Sequence, residues 1–209
     1  MGAGFTAIWR YKLTPSAQGS VVARWPADTR LHAAPGRATL ILFGHPQCPC
    51  TRATVAELAR LMDRYGDRLD AWVLFATPSG AAKDFSRSDL SSIHKSDVWS
   101  TDNSDLWSSA ERIPGVHVLR DEAGSEAARF GAATSGTIAL YRDGKLLFHG
   151  GITPARGHEG DSFGKERLIS LLTTGKADRD DAPVFGCSLS IDDKDRIARA
   201  TPDERTQLR

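Results

Sequence analysis

Two of the chain's three cysteines stand one residue apart in His45-Pro46-Gln47-Cys48-Pro49-Cys50, between the apolar run Leu40-Ile41-Leu42-Phe43 and a helically patterned segment beginning at Thr51. A thiol where a buried strand meets the first turn of a helix faces unpaired backbone N–H groups and the positive end of the helix dipole, both of which favour thiolate over thiol. A thiolate is a nucleophile and also a soft-metal ligand, so two chemistries open. In the first, Cys48, expected to be the more exposed sulfur, attacks a disulfide, and Cys50 or Cys187 resolves the product, with His45 moving a proton or stabilising the thiolate. In the second, Cys48 and Cys50 hold Cu(I), with Cys187 or His45 completing the ligand set. Pro49 fixes a backbone dihedral between the pair, so a Cys48–Cys50 disulfide is expected to be strained and easily reduced. The plain alternative is that both cysteines are small residues packed at a turn.

The remaining composition narrows the field. A formal net charge of +1 gives no general attraction to nucleic acid, and nucleic-acid binding is not expected. With 25% charged and 40% apolar residues over 209 positions, the chain suits one soluble α/β domain with excursions. Three cysteines are too few for a disulfide scaffold. No uninterrupted apolar run is long enough to span a bilayer. Phe5, Ile8, Trp9, Tyr11 and Leu13, interleaved with Arg10 and Lys12, read either as the water-side stub of an N-terminal anchor or as an edge segment packed on the domain.

The elements that must position the cysteines follow from periodicity. Residues 1–37 form a loop-rich lead-in, and Ala38 to Gly44 is a continuous apolar strand of the kind buried on both faces. From Thr51 to Tyr65, Val55, Leu58, Leu61, Met62 and Tyr65 mark the buried face of a helix, with Arg52, Glu57, Arg60 and Arg64 assigned to the other side. Leu69 to Ala76 completes a βαβ unit as a second, parallel strand. Residues 78–104 are Ser/Asp/Lys-rich and read as an insertion with a short helix near Asp89 to His94. A helix from Asp105 to Ile113, a strand from Val116 to Leu119, a turn at Asp121 to Gly124 and a short helix from Ser125 to Phe130 follow. Thr137 to Tyr141 and Leu146 to Gly151 flank Arg142-Asp143-Gly144-Lys145, a strong hairpin signal, and Glu166 to Leu172 is a last helix. The extension from 176 to 209 is charged, except for Pro183-Val184-Phe185-Gly186-Cys187. Arg156, His158, Glu159 and Asp161 lie in a glycine-punctuated loop after the hairpin, read either as a cluster that positions substrate beside Cys48 or as a solvated surface loop. Cys187 resolves a mixed disulfide, completes a metal site, or is an inert buried thiol.

This order of elements, with Leu-Ile-Leu-Phe-Gly-His-Pro-Gln-Cys-Pro-Cys, Asp-Glu-Ala-Gly-Ser-Glu-Ala-Ala-Arg-Phe-Gly-Ala and Ile-Ala-Leu-Tyr-Arg-Asp-Gly-Lys, resembles the thioredoxin-like superfamily, particularly its TlpA/ResA-like and peroxiredoxin-like branches. Gly150 to Gly164 and Pro183 to Cys187 resemble predicted thiol-disulfide proteins labelled RedB. The resemblance covers residues 38–175. It implies a three-layer α/β fold with a central mixed sheet flanked by helices, extended at both termini. It also implies an extracytoplasmic thiol:disulfide oxidoreductase that acts on protein thiols or disulfides without a cofactor, in the bacterial periplasm or on the outer face of the cytoplasmic membrane. Two departures stand out. Only Pro49 separates Cys48 from Cys50 where the family has two residues, and Gly136, followed by Thr137, stands where thioredoxins carry a cis-proline beside the active-site sulfur. In the family that proline disfavours metal capture, so its absence makes room at Gly136 and Thr137 for a ligand or for copper. A redox-inactive binding module whose partner docks on the Gly150 to Gly164 loop is the third reading.

Overall fold

Every residue of β1 (Ala38–Gly44) is buried, and the alternation of its side chains explains why the apolar run is unbroken. Leu40 and Leu42 enter one hydrophobic cluster while Ile41 and Phe43 enter another on the opposite face, so both faces of the strand need apolar side chains. The structure is a computed structural model and describes residues 9–77 and 105–189. The insertion assigned to 78–104, with its helix near Asp89 to His94, and the chain beyond residue 189 lie outside the described residues.

Among the described residues six strands form one mixed sheet in the order β3-β2-β1-β4-β5-β6, with β6 being Asp181–Ala182. β1, β2 (Leu69–Thr77) and β3 (Val116–Glu122) run parallel, whereas β4 (Thr137–Arg142) lies antiparallel to β1 and to β5 (Lys145–Gly150). The crossover from β1 to β2 is α1 (Pro49–Tyr65), which packs Val55, Leu58, Leu61 and Met62 on the first face beside Leu106 of α2 (Asp105–Glu111) and Leu168 and Leu172 of α4 (Phe163–Thr174). The second face is covered by α3 (Ser125–Phe130) and by the lead-in. Trp25 stands edge-on to Phe130 and Tyr141 at 5.3 Å, and the Tyr141 hydroxyl donates to the Val22 carbonyl at 2.7 Å. The lead-in is thus built into the core, each large apolar side chain that it buries contributing about 1.5–3 kcal/mol.

Several local readings change. β3 runs on through Asp121 and Glu122, and the turn falls on Ala123 and Gly124, both at positive φ (55° and 66°). Asp121 accepts from the N–H groups of Glu126 and Ala127, so it caps α3 rather than forming part of the turn. Glu57, assigned to the solvent side of α1, is fully buried. Its carboxylate accepts from the Gly160 N–H (2.7 Å), Arg60 (2.8 Å) and Lys165 (3.2 Å), which ties the loop after β5 to α1. Two-residue β6 (Asp181–Ala182), absent from the pattern reading, pairs with β5 because Gly150 leaves room for it: a Cβ there would collide with the Ala182 backbone. Residues 9–13 are helical, with Trp9, Tyr11 and Leu13 exposed. Among the described residues, no helix is long and apolar enough to cross a membrane.

Candidate active site

Cys48 is the residue that opens α1. Its backbone is extended (φ −87°, ψ 124°), its carbonyl accepts the Arg52 N–H at 3.1 Å, and Pro49 takes the first helical position, where a missing N–H costs nothing. The sulfur therefore sits where a capping oxygen would, at the dipole's positive end. Sequence reasoning expected Cys48 to be the more exposed of the pair, but both are buried, at 4% and 5% exposure, because neighbouring loops fold over them. Cys187 is the exposed cysteine.

The Cys48 thiol is held far below its ordinary range, at about 4. The first cause is the hydrogen bond from the Cys50 thiol. Burial opposes it, and Ser135 together with the Thr51 and Cys50 N–H groups adds to it. Cys50 is pushed up, first because it donates to Cys48, then by burial and by the neighbouring negative charge. The pair thus divides into a thiolate at Cys48 and a proton-bearing thiol at Cys50. Cys187 is also raised, by burial of its sulfur and then by the charge on Cys48, with Arg156 opposing.

The Cys48 and Cys187 sulfurs are 3.6 Å apart although 139 positions separate them in the chain. The tail reaches this place as an extended segment beside the loop before β4. The Ser135 N–H donates to the Cys187 carbonyl (2.8 Å), the Leu189 N–H donates to the Ala133 carbonyl (2.9 Å), and Thr134 bridges Ser188 in antiparallel fashion. Buried Val184 and Leu189 anchor the two ends of this segment. Gly136, at φ 88°, donates its N–H to the Phe43 carbonyl (2.7 Å), and Thr137 donates from both N–H and hydroxyl to the Thr134 carbonyl. These two residues shape the turn that aims Ser135 at the sulfurs. Ser135 in turn lies 2.8 Å from the Thr51 hydroxyl.

The loop after β5 flanks the other side. The Gly157 N–H points to Cys50, and Gly157 packs on Pro49. Arg156 bonds to the Tyr11 carbonyl (3.2 Å), the Ser16 hydroxyl (2.7 Å) and the Gly186 carbonyl, and its guanidinium lies 4.7 Å over the Tyr11 ring. His158 accepts from Lys12 at 3.2 Å, on the surface. Tyr11, Lys12, Pro49, Cys50, Arg156, Gly157 and Cys187 line a cavity of about 470 Å³. His45 accepts the Gln47 N–H on Nδ1 at 3.3 Å and gives its carbonyl to the Cys48 N–H at 3.1 Å, which fixes the turn into α1. Among the described residues no three His, Cys, Asp or Glu side chains are gathered as a metal site. The turn from Thr134 to Thr137 was expected to flank the sulfurs, but no role was given to Ser135 itself, nor to Thr51, Gly157 or Gly186. The signal available for them was proximity in sequence to Cys48, Gly136, Arg156 and Cys187.

No family model matches the sequence, and no curated protein is significantly similar to it. Solved structures with this architecture include a hypothetical protein from Sinorhizobium meliloti, 20% identical, with a TM-score of 0.54 over 85% of this chain and 94% of that one. An uncharacterized conserved protein from Geobacillus kaustophilus is 19% identical, with a TM-score of 0.54 over 86% and 93%. The fold is thioredoxin-like. The exposed lipoprotein thioredoxin of Streptococcus pneumoniae overlaps more loosely, at 16% identity and a TM-score of 0.42 over 74% of this chain and 99% of that one. Likenesses at such low identity leave the chemistry to this chain's own residues. Three features of this chain bear on that chemistry: the single residue between Cys48 and Cys50, Gly136 in a turn free of cis peptides, and a tail that carries a third cysteine to the first.

Proposed function

We propose that the protein is a thiol:disulfide oxidoreductase in which Cys48 attacks, Cys50 stabilises the attacking thiolate and Cys187 resolves. The observation that carries this reading is a Cys48 sulfur favoured as thiolate and 3.6 Å from the Cys187 sulfur. Cys48 thiolate attacks one sulfur of a substrate disulfide. The substrate S–S bond breaks, one half leaves as thiolate, and the other stays bonded to Cys48. Cys187 then attacks the Cys48 sulfur, its proton passing to the second leaving thiolate. The substrate gains two electrons, and a Cys48–Cys187 disulfide forms. Closing it needs the two sulfurs to approach from 3.6 Å to the disulfide bond length of about 2.05 Å. The reverse sequence oxidises a substrate dithiol. Cys50 suits resolution less, because Pro49 restrains the pair and its proton is committed to Cys48. Protein thiols or disulfides are the proposed substrates. The proposed place of action is the bacterial periplasm or the outer face of the cytoplasmic membrane, which is supported by the resemblance to the TlpA/ResA-like branch and not by the disulfide cycle itself.

The test is exchange with insulin or a model dithiol. Cys48→Ser should abolish it, and Cys187→Ser should accumulate a mixed disulfide on Cys48. Full exchange by Cys48→Ser would end the proposal. The second reading, Cu(I) capture, is favoured by the same close sulfur pair, because Cu(I) prefers thiolate ligands. Anaerobic titration of the reduced protein against a competing chelator should then give about one Cu(I) per chain, lost in Cys48→Ser. Failure to retain Cu(I) removes that reading.

A further inference from the structure

Cys48 is buried at 4% exposure, and the exposed Cys187 stands with its sulfur 3.6 Å from the Cys48 sulfur, so the tail occupies ground that a macromolecule bonded to Cys48 would need. The tail sits there as a strand added to the loop before β4, held by the Ser135 N–H and the Ala133 carbonyl. Its register presents Gly186 and Cys187 to the site, with Leu189 buried two residues later. Glycine before the cysteine is dictated by the loop, since a Cβ at 186 would collide with the Ser135 carbonyl oxygen and crowd its carbon and the Thr134 side chain. The segment is latched from its far side. Arg156 and Ser16 both donate to the Gly186 carbonyl, and the Ser16 hydroxyl accepts the Gly186 N–H at 3.2 Å. The Ser16 N–H also donates to the Val184 carbonyl at 2.8 Å.

We propose that residues 184–189 are a tethered occupant of a docking edge for extended polypeptides, and that a partner reaching Cys48 presents the pattern Gly-Cys-x-apolar in competition with the tail. This rests on the oxidoreductase reading and adds to it a partner chemistry and a gate. The backbone groups at Ala133 and Ser135 would pair with the incoming strand as they pair with the tail, the space over Ser135 would reject any side chain before the cysteine, and the Leu189 pocket would take the apolar residue. When Cys48 and Cys187 are joined the edge is closed covalently, and when they are reduced it is closed only by the latch.

The experiment uses the full chain carrying Cys187→Ser, which cannot resolve, with and without Gly186→Ala, which cannot seat the tail. The probes are the symmetrical disulfides of Val-Phe-Gly-Cys-Ser-Leu and Val-Phe-Ala-Cys-Ser-Leu, with cystamine as a disulfide too small to need the edge. In each reaction Cys48 thiolate displaces one half of the probe as thiolate and keeps the other in a new S–S bond, followed by mass spectrometry. The Gly-Cys peptide should react at least about tenfold faster than the Ala-Cys peptide, and Gly186→Ala should raise its rate by about tenfold again while changing cystamine less. If Gly186→Ala does not fold, Ser16→Ala, which removes only latch bonds, should give a rise of about threefold. Equal rates for the two peptides, or no rise on loosening the tail, would overturn the docking edge while the cystamine adduct leaves the oxidoreductase reading standing. No adduct on Cys48 even from cystamine would overturn both.

Discussion

Replacing Cys50 by Ala removes the largest contribution to the thiolate at Cys48 without touching the attacking sulfur. A hydrogen bond to a charged acceptor is worth about 1.5–3 kcal/mol, and 1.36 kcal/mol corresponds to one pKa unit, so the Cys48 midpoint should climb from about 4 by roughly one to two pH units. Ser135 and the N–H groups of Thr51 and Cys50 survive the change and keep the value well below an ordinary thiol. Cys50→Ser supplies a hydroxyl donor in the same place and should restore most of the depression. The assay is iodoacetamide alkylation between about pH 3 and pH 9, with peptide mapping to assign the label to Cys48. The buried position keeps absolute rates low, but the midpoint reports ionisation and not access. A midpoint that stays put in Cys50→Ala, or falls, would refute the division of the pair into a thiolate and its proton donor.

Cys48 also links stability to pH. Its folded value of about 4 lies below the 9.0 of an ordinary thiol, so between them the unfolded chain binds the extra proton and stability rises with pH. The stability gap between the wild type and Cys48→Ser should therefore be wider at about pH 8 than at about pH 5 in denaturant melts, and close as pH falls through the folded value; a constant gap would contradict the shift. Glu57→Ala should cost about 1–3 kcal/mol, because it leaves the Gly160 N–H without its acceptor and takes from Lys165 one of two carboxylates, Asp161 remaining at 2.8 Å. Glu57→Gln, whose amide oxygen still accepts from Gly160, should cost less, and equal melting points for all three proteins would show that the carboxylate does not hold the loop.

The helices and strands around the sulfurs were legible because local chemistry agreed with the global fold. The apolar run of β1, the proline at the first position of α1, and Asp143-Gly144 at positive φ (51° and 72°) each admit few structures. The Arg156 loop, read either as a cluster beside Cys48 or as a solvated surface loop from its glycines and its polar residues without a core to serve, lines a cavity with Cys50 and Cys187. Contacts with partners distant in sequence were not legible. Glu57 follows helical spacing onto the polar side of α1 and is buried only because the Gly160 N–H and Lys165 arrive more than 100 positions later. Ser135 looks like any loop serine until Thr51 and Cys48 surround it. The tail's role depends on Gly150 and Gly186, two missing side chains whose meaning appears only when another backbone lies against them.

Peptide mapping of the protein after mild oxidation by a stoichiometric disulfide tests the central claim most directly. The account predicts a Cys48–Cys187 disulfide with Cys50 alkylatable as the remaining thiol after denaturation, from sulfurs already 3.6 Å apart. A Cys48–Cys50 disulfide with Cys187 free would contradict it.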